Sequence, residues 1–331
     1  MRDGRARSIP REVMTYLPEH SIPLLAITNA LAFSPDGALL ALATRDKHAH
    51  NLMYRVGDWS PQPAPRFARY DLRFGTDGAL VVAGVGVERF IPNPTKLAKS
   101  AFSIPGHPKG ITRLEVSPDG RWIAVHKYLD RLELWFVGVS PPEQRCSVWT
   151  GSAQLFFFAA DSARFFHSSH GYEAGRSVDA LHQIALHADG RTQGPTDGPL
   201  PDGLSAHNVV CATPHGLVTL GFPERDVVVC DWDALRPRRL GVRSLEGAAA
   251  VAGFAVSSDG CHVVVQVGVD RDDRPREWKL VVVALPTGEE VGELPIGTIS
   301  AGHLALSKRA ERIAFTRSDT DREVRVFRRD A

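Results

Sequence analysis

A short motif recurs along this chain of 331 residues: an apolar segment, a tight turn and a second apolar segment. Three copies share almost the same pattern, with Ser-Pro-Asp-Gly or Ser-Ser-Asp-Gly at the turn, at residues 31–37, 114–120 and 254–260. Four degenerate copies begin at Leu72, Phe156, Val210 and Leu304. The first residues of successive copies are 41, 42, 42, 54, 44 and 50 positions apart. A period of about 40–45 residues with several strands per unit is typical of the blades of a β-propeller.

Each copy of the motif is predicted to form a β-hairpin. Proline presets φ at the turn, Asp bonds to the backbone ahead of it, and Gly takes a positive φ without steric cost. The strand after the turn is apolar on successive residues, which is typical of a strand covered on both faces. Third strands are predicted at residues 132–135, 280–283 and 324–327, and weaker fourth strands near 145–149, 239–243 and 290–294. The sequence therefore predicts an all-β fold, a seven-bladed β-propeller of four-stranded antiparallel blades.

The seventh copy lies close to residue 331, with room for a third strand but not for a fourth. Residues 11–17 have the pattern of a strand with no partner of its own. We therefore expect this N-terminal strand to join the last blade and close the ring, which also covers an exposed sheet edge. Residues 11–331 are then a single propeller domain, and residues 1–10 are expected to form a flexible basic tail.

Charge and cysteine content narrow the functional classes. The formal net charge is +1 at pH 7, which argues against a specific nucleic-acid partner. No apolar run approaches the length of a membrane span, so no membrane insertion is expected. The four cysteines form no C-x-x-C pair, so we expect thiols in a cytoplasmic protein without a zinc site. Arginine far outnumbers lysine, which is typical of GC-rich, often bacterial, genomes.

One unit, residues 106–135, resembles a WD40 repeat. A Gly-His pair containing His107 precedes the strand 111–116, and the turn 117–120 and a strand ending in Trp135 follow at the family's usual spacing. The resemblance implies structural roles for His107 and Trp135, because these positions belong to a hydrogen-bonded set in WD40 blades. The resemblance also implies a function as a non-enzymatic scaffold in a protein assembly, which is typical of WD40 propellers. The other six units share the turn and the apolar pattern, so the chain as a whole is WD40-like.

No catalytic, metal-binding or cofactor-binding motif stands out in the sequence. There is no Gly-x-Ser-x-Gly nucleophile elbow and no Gly-rich phosphate loop before a helix. The pairs His48/His50 and His167/His170 lack an acidic or Cys partner at a recognised spacing, so no metal site is predicted. A Ser-His-Asp triad is defined by geometry rather than by spacing, so the sequence leaves that question open.

The loops between second and third strands are predicted to form a binding face. Strands within a blade are antiparallel, so these loops lie on the face opposite the turns of the repeated motif. They are polar, two of them are long, and binding residues favour loops on a rigid scaffold. The candidate contact residues are mostly cationic, with some His and Tyr side chains: Arg45, Lys47, His48, His50, Lys127, Tyr128, Arg131, Tyr172, Arg176, Arg225, Arg271, Arg274, Arg276, Arg317 and Arg322.

Two functions compete at this point. The favoured one is a non-enzymatic scaffold or binding subunit of a multiprotein assembly, whose partners are proteins or peptides. The alternative is a propeller hydrolase similar to lactonases that hold a metal in the central channel. Such a site needs acidic side chains that converge from the innermost strands, and here the first strands carry only Asp71 and Glu115 as acids.

Overall fold

The computed structural model places the chain in seven antiparallel sheets. It describes residues 15–24, 27–44, 52–64, 70–84, 86–92, 102–105, 110–127, 131–150, 155–173, 176–200, 210–220, 226–232, 236–246, 248–271, 274–317 and 322–330. In these ranges the regular structure is strands and two short 3₁₀ helices, Arg243–Leu245 and Lys308–Ala310. Neither helix is long enough to cross a membrane.

The strands follow one another blade by blade after an N-terminal strand, β1 (Tyr16–Pro23). Blade 1 contains β2 (Thr28–Phe33), β3 (Leu39–Thr44) and β4 (Leu52–Arg55). Blade 2 contains β5 (Asp71–Phe74), β6 (Leu80–Ala83), β7 (Val87–Phe90) and β8 (Ser103–Ile104). Blade 3 contains β9 (Ile111–Val116), β10 (Trp122–Lys127), β11 (Arg131–Phe136) and β12 (Glu143–Trp149). Blade 4 contains β13 (Phe156–Phe158), β14 (Arg164–Glu173), β15 (Arg176–Leu186) and β16 (Thr192–Pro199).

The remaining blades continue the same order. Blade 5 contains β17 (Val210–Thr213), β18 (Gly216–Leu220), β19 (Val227–Cys230) and β20 (Pro237–Leu240). Blade 6 contains β21 (Ala250–Val256), β22 (His262–Arg271), β23 (Arg274–Ala284) and β24 (Glu289–Gly297). Blade 7 contains β25 (Leu304–Leu306), β26 (Arg312–Thr316) and β27 (Glu323–Arg329), with β1 outside β27. The first strands β2, β5, β9, β13, β17, β21 and β25 each contact the next, and β25 contacts β2, so they line the centre of a ring. The predicted seven-bladed propeller is confirmed.

The last blade takes its outer strand from the N-terminal part of the chain, but further along than predicted. β1 begins at Tyr16 and pairs antiparallel with β27 from Tyr16↔Arg329 to Pro23↔Glu323. Of the predicted strand 11–17, residues 11–14 lie outside the described residues, and only its last two residues belong to β1. The strand is fixed at both ends, because the Tyr16 hydroxyl donates to the Ala310 carbonyl at 2.8 Å and Ile22 is buried.

The repeated turns are built by the side chains that the sequence singles out. At the first turn, Asp36 accepts from the Ser34 hydroxyl at 2.6 Å and from the Ala38 backbone at 3.0 Å, and Gly37 has φ 74°. These bonds satisfy the turn's polar groups locally, and the positive φ favours Gly there. The seventh turn has lost Asp and Gly, and Arg309 takes φ 56° instead. Its backbone N–H donates at 2.8 Å to Asp259 from the turn of blade 6.

The hydrophobic core lies between neighbouring blades, as apolar second strands predict. On β22, Val263 and Val265 pack in a cluster with side chains of blade 5. Val264, between them, packs instead with side chains of blade 7. Successive residues of a strand point to opposite faces. A second strand therefore contributes to two cores at once, and the run of apolar residues that follows each turn is a direct consequence.

The indole of Trp135, for which the resemblance implied a structural role, contacts polar side chains of its own blade. Its indole Nε1 donates to the Glu133 carboxylate at 2.9 Å, and the same oxygen accepts from Lys127 Nζ at 2.6 Å. Val125 lies directly opposite Glu133 in the strand pairing and has no polar group to offer this carboxylate. Because Lys127, Glu133 and Trp135 are all buried, this trio joins the second and third strands inside the blade 2–blade 3 interface. The other predicted member, His107, lies outside the described residues.

Candidate functional site

The second and third strands of each blade meet at one face of the ring, which we call the hairpin face. The turns of the repeated motif lie on the opposite face, which we call the turn face. Two hairpins on the hairpin face are longer than the others. β14 and β15 have 10 and 11 residues, and β22 and β23 likewise have 10 and 11, whereas β18 and β19 have 5 and 4.

The hairpin of blade 4 projects from the ring. The innermost strand of this blade begins at Phe156, which pairs with His167. The pairing of β14 with β15 continues beyond that point to Glu173↔Arg176. Six further residues at about 3.3 Å each extend the hairpin by about 20 Å. An extension of this length makes the described part of the hairpin face uneven.

Several predicted contact residues can be placed on this hairpin face. Arg131 is exposed at the start of β11, with 60% of its side chain accessible. Arg276 lies near the blade 6 tip, where its guanidinium makes two hydrogen bonds to Asp270, at 2.6 and 3.2 Å. Arg317 follows β26 and is partly buried, whereas Arg322 is exposed just before β27. These positions agree with the predicted face, but its role in binding stays a prediction.

Lys127 does not belong to the exposed surface. It ends β10, but its side chain turns inward, where Glu133 holds the ammonium at 2.6 Å. Only 10% of the Lys127 side chain is accessible. The ion pair satisfies the charge internally, so Lys127 is not available to a partner.

The other predicted contact residues lie on the projecting hairpins or outside the described residues. Four of them lie on the strands of the two projecting hairpins: Tyr172, Arg176, Arg271 and Arg274. Six lie outside the described residues: Arg45, Lys47, His48, His50, Tyr128 and Arg225.

Sequence reasoning missed an exposed tryptophan on the hairpin face. Trp149 ends β12 with 69% of the residue accessible, directly opposite Arg131 in the strand pairing. The alternation of residues along the predicted fourth strand could have indicated it. Cys146 and Val148 pack inward, so the side chain of Trp149, the next residue, points outward. Tryptophan and arginine are enriched among the residues that dominate protein–protein binding energy. This pair is therefore the strongest contact feature on the described part of the hairpin face.

The central channel opens on the same face through a cavity of about 520 Å³, lined by the first strands of blades 1, 2, 6 and 7 and the end of β18. Arg73 reaches Asp71 at 3.0 Å and Glu115 at 3.9 Å, and Glu115 also accepts from Arg113 at 3.0 Å. Burial lowers the pKa of Arg73, but the negative charges of Asp71 and Glu115 together raise it by more. The net effect is a pKa above the usual value for arginine. Burial also raises the pKa of the nearby Cys211 thiol to about 11, which keeps it protonated at neutral pH.

Asp71 and Glu115, the two acidic residues of the first strands, are thus paired with arginines. Asp71 uses its second oxygen to accept from the Leu114 backbone at 3.1 Å. Within the described ranges no group of three or more His, Cys, Asp or Glu side chains is placed to hold a metal ion.

A second polar cluster lies on blade 4, at the base of the projecting hairpin. His167 is buried and stacks on His182, with ring centroids 4.7 Å apart. Neither ring nitrogen of His167 has a hydrogen-bond partner among the described residues. Burial, with the neighbouring His182, lowers the pKa of His167 from 6.5 to about 4. His167 is therefore held as a neutral ring at physiological pH.

Acidification should destabilise the protein through His167. Its folded-state pKa lies below that of the unfolded chain, so the unfolded chain binds the extra proton first. The corresponding stability is present above about pH 6.5 and is lost as the pH falls to about 4, to a total of about 3 kcal/mol. His167→Phe keeps a ring in the stack but removes the titration. Urea unfolding of both proteins at pH 7 and pH 4 measures the difference, and identical pH dependence would contradict the assignment.

The comparisons with known proteins agree with this architecture. The family described as WD domain, G-beta repeat matches residues 98–125, which overlap the unit predicted from sequence. No curated protein matches the chain. The solved β-propeller domain of Cps50 (Swd1) from Myceliophteria thermophila aligns over 95% of this chain and 99% of that domain, with a TM-score of 0.63 and 10% identity. At such low identity the likeness shows the fold alone.

The protein is thus a seven-bladed β-propeller. More particularly, residues 98–125 of this propeller match the model of a WD40 repeat. Propellers of the WD40 kind are generally non-enzymatic scaffolds for protein interaction.

Proposed function

We propose that this chain is a binding subunit of a multiprotein assembly and that it docks a protein partner on the hairpin face. The observation that carries the proposal is the exposed pair Trp149 and Arg131 beside the projecting blade 4 hairpin. The pair is linked to that hairpin through the backbone, because His170 N–H donates to the Thr150 carbonyl at 3.3 Å. An aromatic anchor on a rigid surface next to a tall hairpin offers a partner both contact area and a fixed orientation.

Other predicted cations of the hairpin face lie on blades 6 and 7. Arg276 and Arg322 lie there, and Arg276 is matched by Asp270, so the surface is polar and of mixed charge. Charged groups at the rim of an interface mainly set orientation and association rate. The proposal therefore assigns most of the binding energy to the Trp149 region and partner selection to the surrounding charges.

Replacing Trp149 should remove the partner without unfolding the propeller. The full chain, purified gently from its native source, is expected to bring down a partner in stoichiometric amount. Trp149→Ala should reduce that recovery about tenfold or more, as expected for loss of a dominant interface residue. The melting temperature should stay unchanged, because exposed side chains contribute little to stability. Quantitative mass spectrometry of the recovered proteins is the measurement.

A matched control lies on the opposite face of the same blade. Val139 follows β11 on the turn face and is 40% exposed. Val139→Ala also truncates an exposed apolar side chain, and it should leave recovery of the partner unchanged. The proposal fails if only the chain itself is recovered, or if Val139→Ala and Trp149→Ala have equal effects.

A further inference from the structure

Three adjacent strands of blade 4 bring a serine, a histidine and an aspartate into one chain of hydrogen bonds. Ser169 Oγ lies 2.7 Å from His182 Nε2. The other ring nitrogen, His182 Nδ1, lies 2.7 Å from Asp197 Oδ1. In a Ser-His-Asp triad the serine hydroxyl bonds to Nε2 of the histidine, which activates the serine, and the carboxylate bonds to Nδ1, which orients the ring. The three residues of blade 4 have the same arrangement. Both distances lie within the range needed for proton transfer.

The strand register explains why these side chains meet. His182 lies directly opposite both His167 on β14 and Asp197 on β16, so the three share one face of the sheet. Ser169 is two residues beyond His167 and therefore points to the same face. The arrangement thus depends on three strands of one blade, which makes it rigid at the backbone.

The position of Ser169 also leaves it open to a ligand. It lies just past the end of the innermost strand, on the projecting part of the hairpin, and is only partly buried. The side chain of His182 is 18% accessible and that of Asp197 is 69% accessible. Ser169 is thus close to the hairpin face, and the rings of His167 and His182 stack on the same face of the sheet.

We propose that Ser169 is an activated nucleophile that reacts with activated carboxylic esters. The Ser169 hydroxyl proton passes to His182 Nε2 while Oγ bonds to the acyl carbon. The bond from that carbon to the leaving-group oxygen breaks, and this oxygen takes the proton from His182. Water then attacks the acyl-Ser169 by the same path and releases the carboxylic acid. In this scheme Asp197 is a positioning residue that orients the ring of His182. This proposal goes beyond the docking at Trp149 and does not rest on it.

The test uses the full chain and p-nitrophenyl acetate. Release of p-nitrophenol should exceed the rate in buffer, and peptide mass mapping should place an acetyl group on Ser169. Ser169→Ala should abolish both signals. Asp197→Asn should slow the release about tenfold or more, because the ring loses its orienting carboxylate. Asp197→Glu should restore part of the rate, and the melting temperature of all three variants should stay close to that of the original chain.

A matched control lies on the other face of the same strands. His170 Nδ1 is 2.7 Å from Asp179 Oδ1, a histidine–carboxylate pair that lies away from Ser169. Asp179→Asn should leave ester cleavage unchanged. Absence of acetyl on Ser169, or equal rates for Asp197→Asn and the original chain, would overturn the proposal and show that the three residues only connect strands. Neither result bears on partner recovery, so failure here is distinct from failure of the docking proposal.

Discussion

Removal of residues 1–23 should strongly destabilise the propeller. The deletion takes away β1, and with it the buried side chains of Tyr16 and Ile22. It also breaks the paired hydrogen bonds between Glu19 and Arg312, at 2.8 and 3.2 Å. Two buried side chains of this size contribute about 2 kcal/mol each, so the loss is a large fraction of the stability of an ordinary domain, which is about 5–15 kcal/mol. We expect the thermal unfolding transition to become broad. The melting temperature should fall by about 10 °C or more, because a loss of about 4 kcal/mol produces a shift of that order.

Loss of β1 has a second consequence, because β27 would then become an exposed edge strand. An unpaired edge offers its backbone to other chains and promotes aggregation. The truncated chain should therefore sediment as oligomers as well as unfold early. Ile22→Asp in the full-length chain is a milder variant that keeps the backbone of β1, and it should lower the melting temperature without exposing the whole edge.

Removal of residues 1–10 alone provides the control. These residues are predicted to form a tail outside the propeller, so their loss should leave the melting temperature unchanged. An unaltered melting temperature for the chain lacking residues 1–23 would contradict the role of β1 in closing the ring. Equal destabilisation by both deletions would instead contradict the predicted domain boundary.

The blade count could be predicted because the information that defines it is local. The turns with the Ser-Pro-Asp-Gly pattern are formed by side chains within five residues of one another, as Ser34 and Asp36 show, so this motif can be recognised without knowledge of a partner strand. The closing strand is different, since its pairing joins residues about three hundred positions apart, such as Tyr16 and Arg329. A short apolar pattern does not fix where such a strand starts. The predicted segment was therefore several residues too early.

Site residues were harder to predict because they depend on register and burial. Ser169, His182 and Asp197 are separated by 13 and 15 positions, a spacing with no chemical meaning until three strands are aligned. Lys127 illustrates the opposite error, in which a cation at the end of a strand was assigned to the surface. The missed signal was Glu133, an acid inside the otherwise apolar strand 132–135, which needs a buried partner.

Glu133→Gln should be among the most damaging single substitutions in the propeller. The amide oxygen can still accept from the Trp135 indole, so shape and that hydrogen bond are kept. The ammonium of Lys127, with 10% of its side chain accessible, loses its closest counter-charge. Breaking one side of a buried ion pair costs about 3–5 kcal/mol. Urea unfolding at pH 7 should show this as a lower midpoint with an unchanged slope.

Two further variants separate the buried charge from general damage to the blade. Adding Lys127→Met to Glu133→Gln removes the stranded ammonium, and stability should return to within about 1–2 kcal/mol of the original chain, since apolar replacements of buried pairs are often close to neutral. Glu143→Gln makes the same substitution on β12, where the carboxylate is 50% exposed and pairs with Arg145. It should cost less than about 1 kcal/mol. Equal losses for Glu133→Gln and Glu143→Gln, or no recovery in the double variant, would show that the Lys127–Glu133 pair does not stabilise the interface between blades 2 and 3.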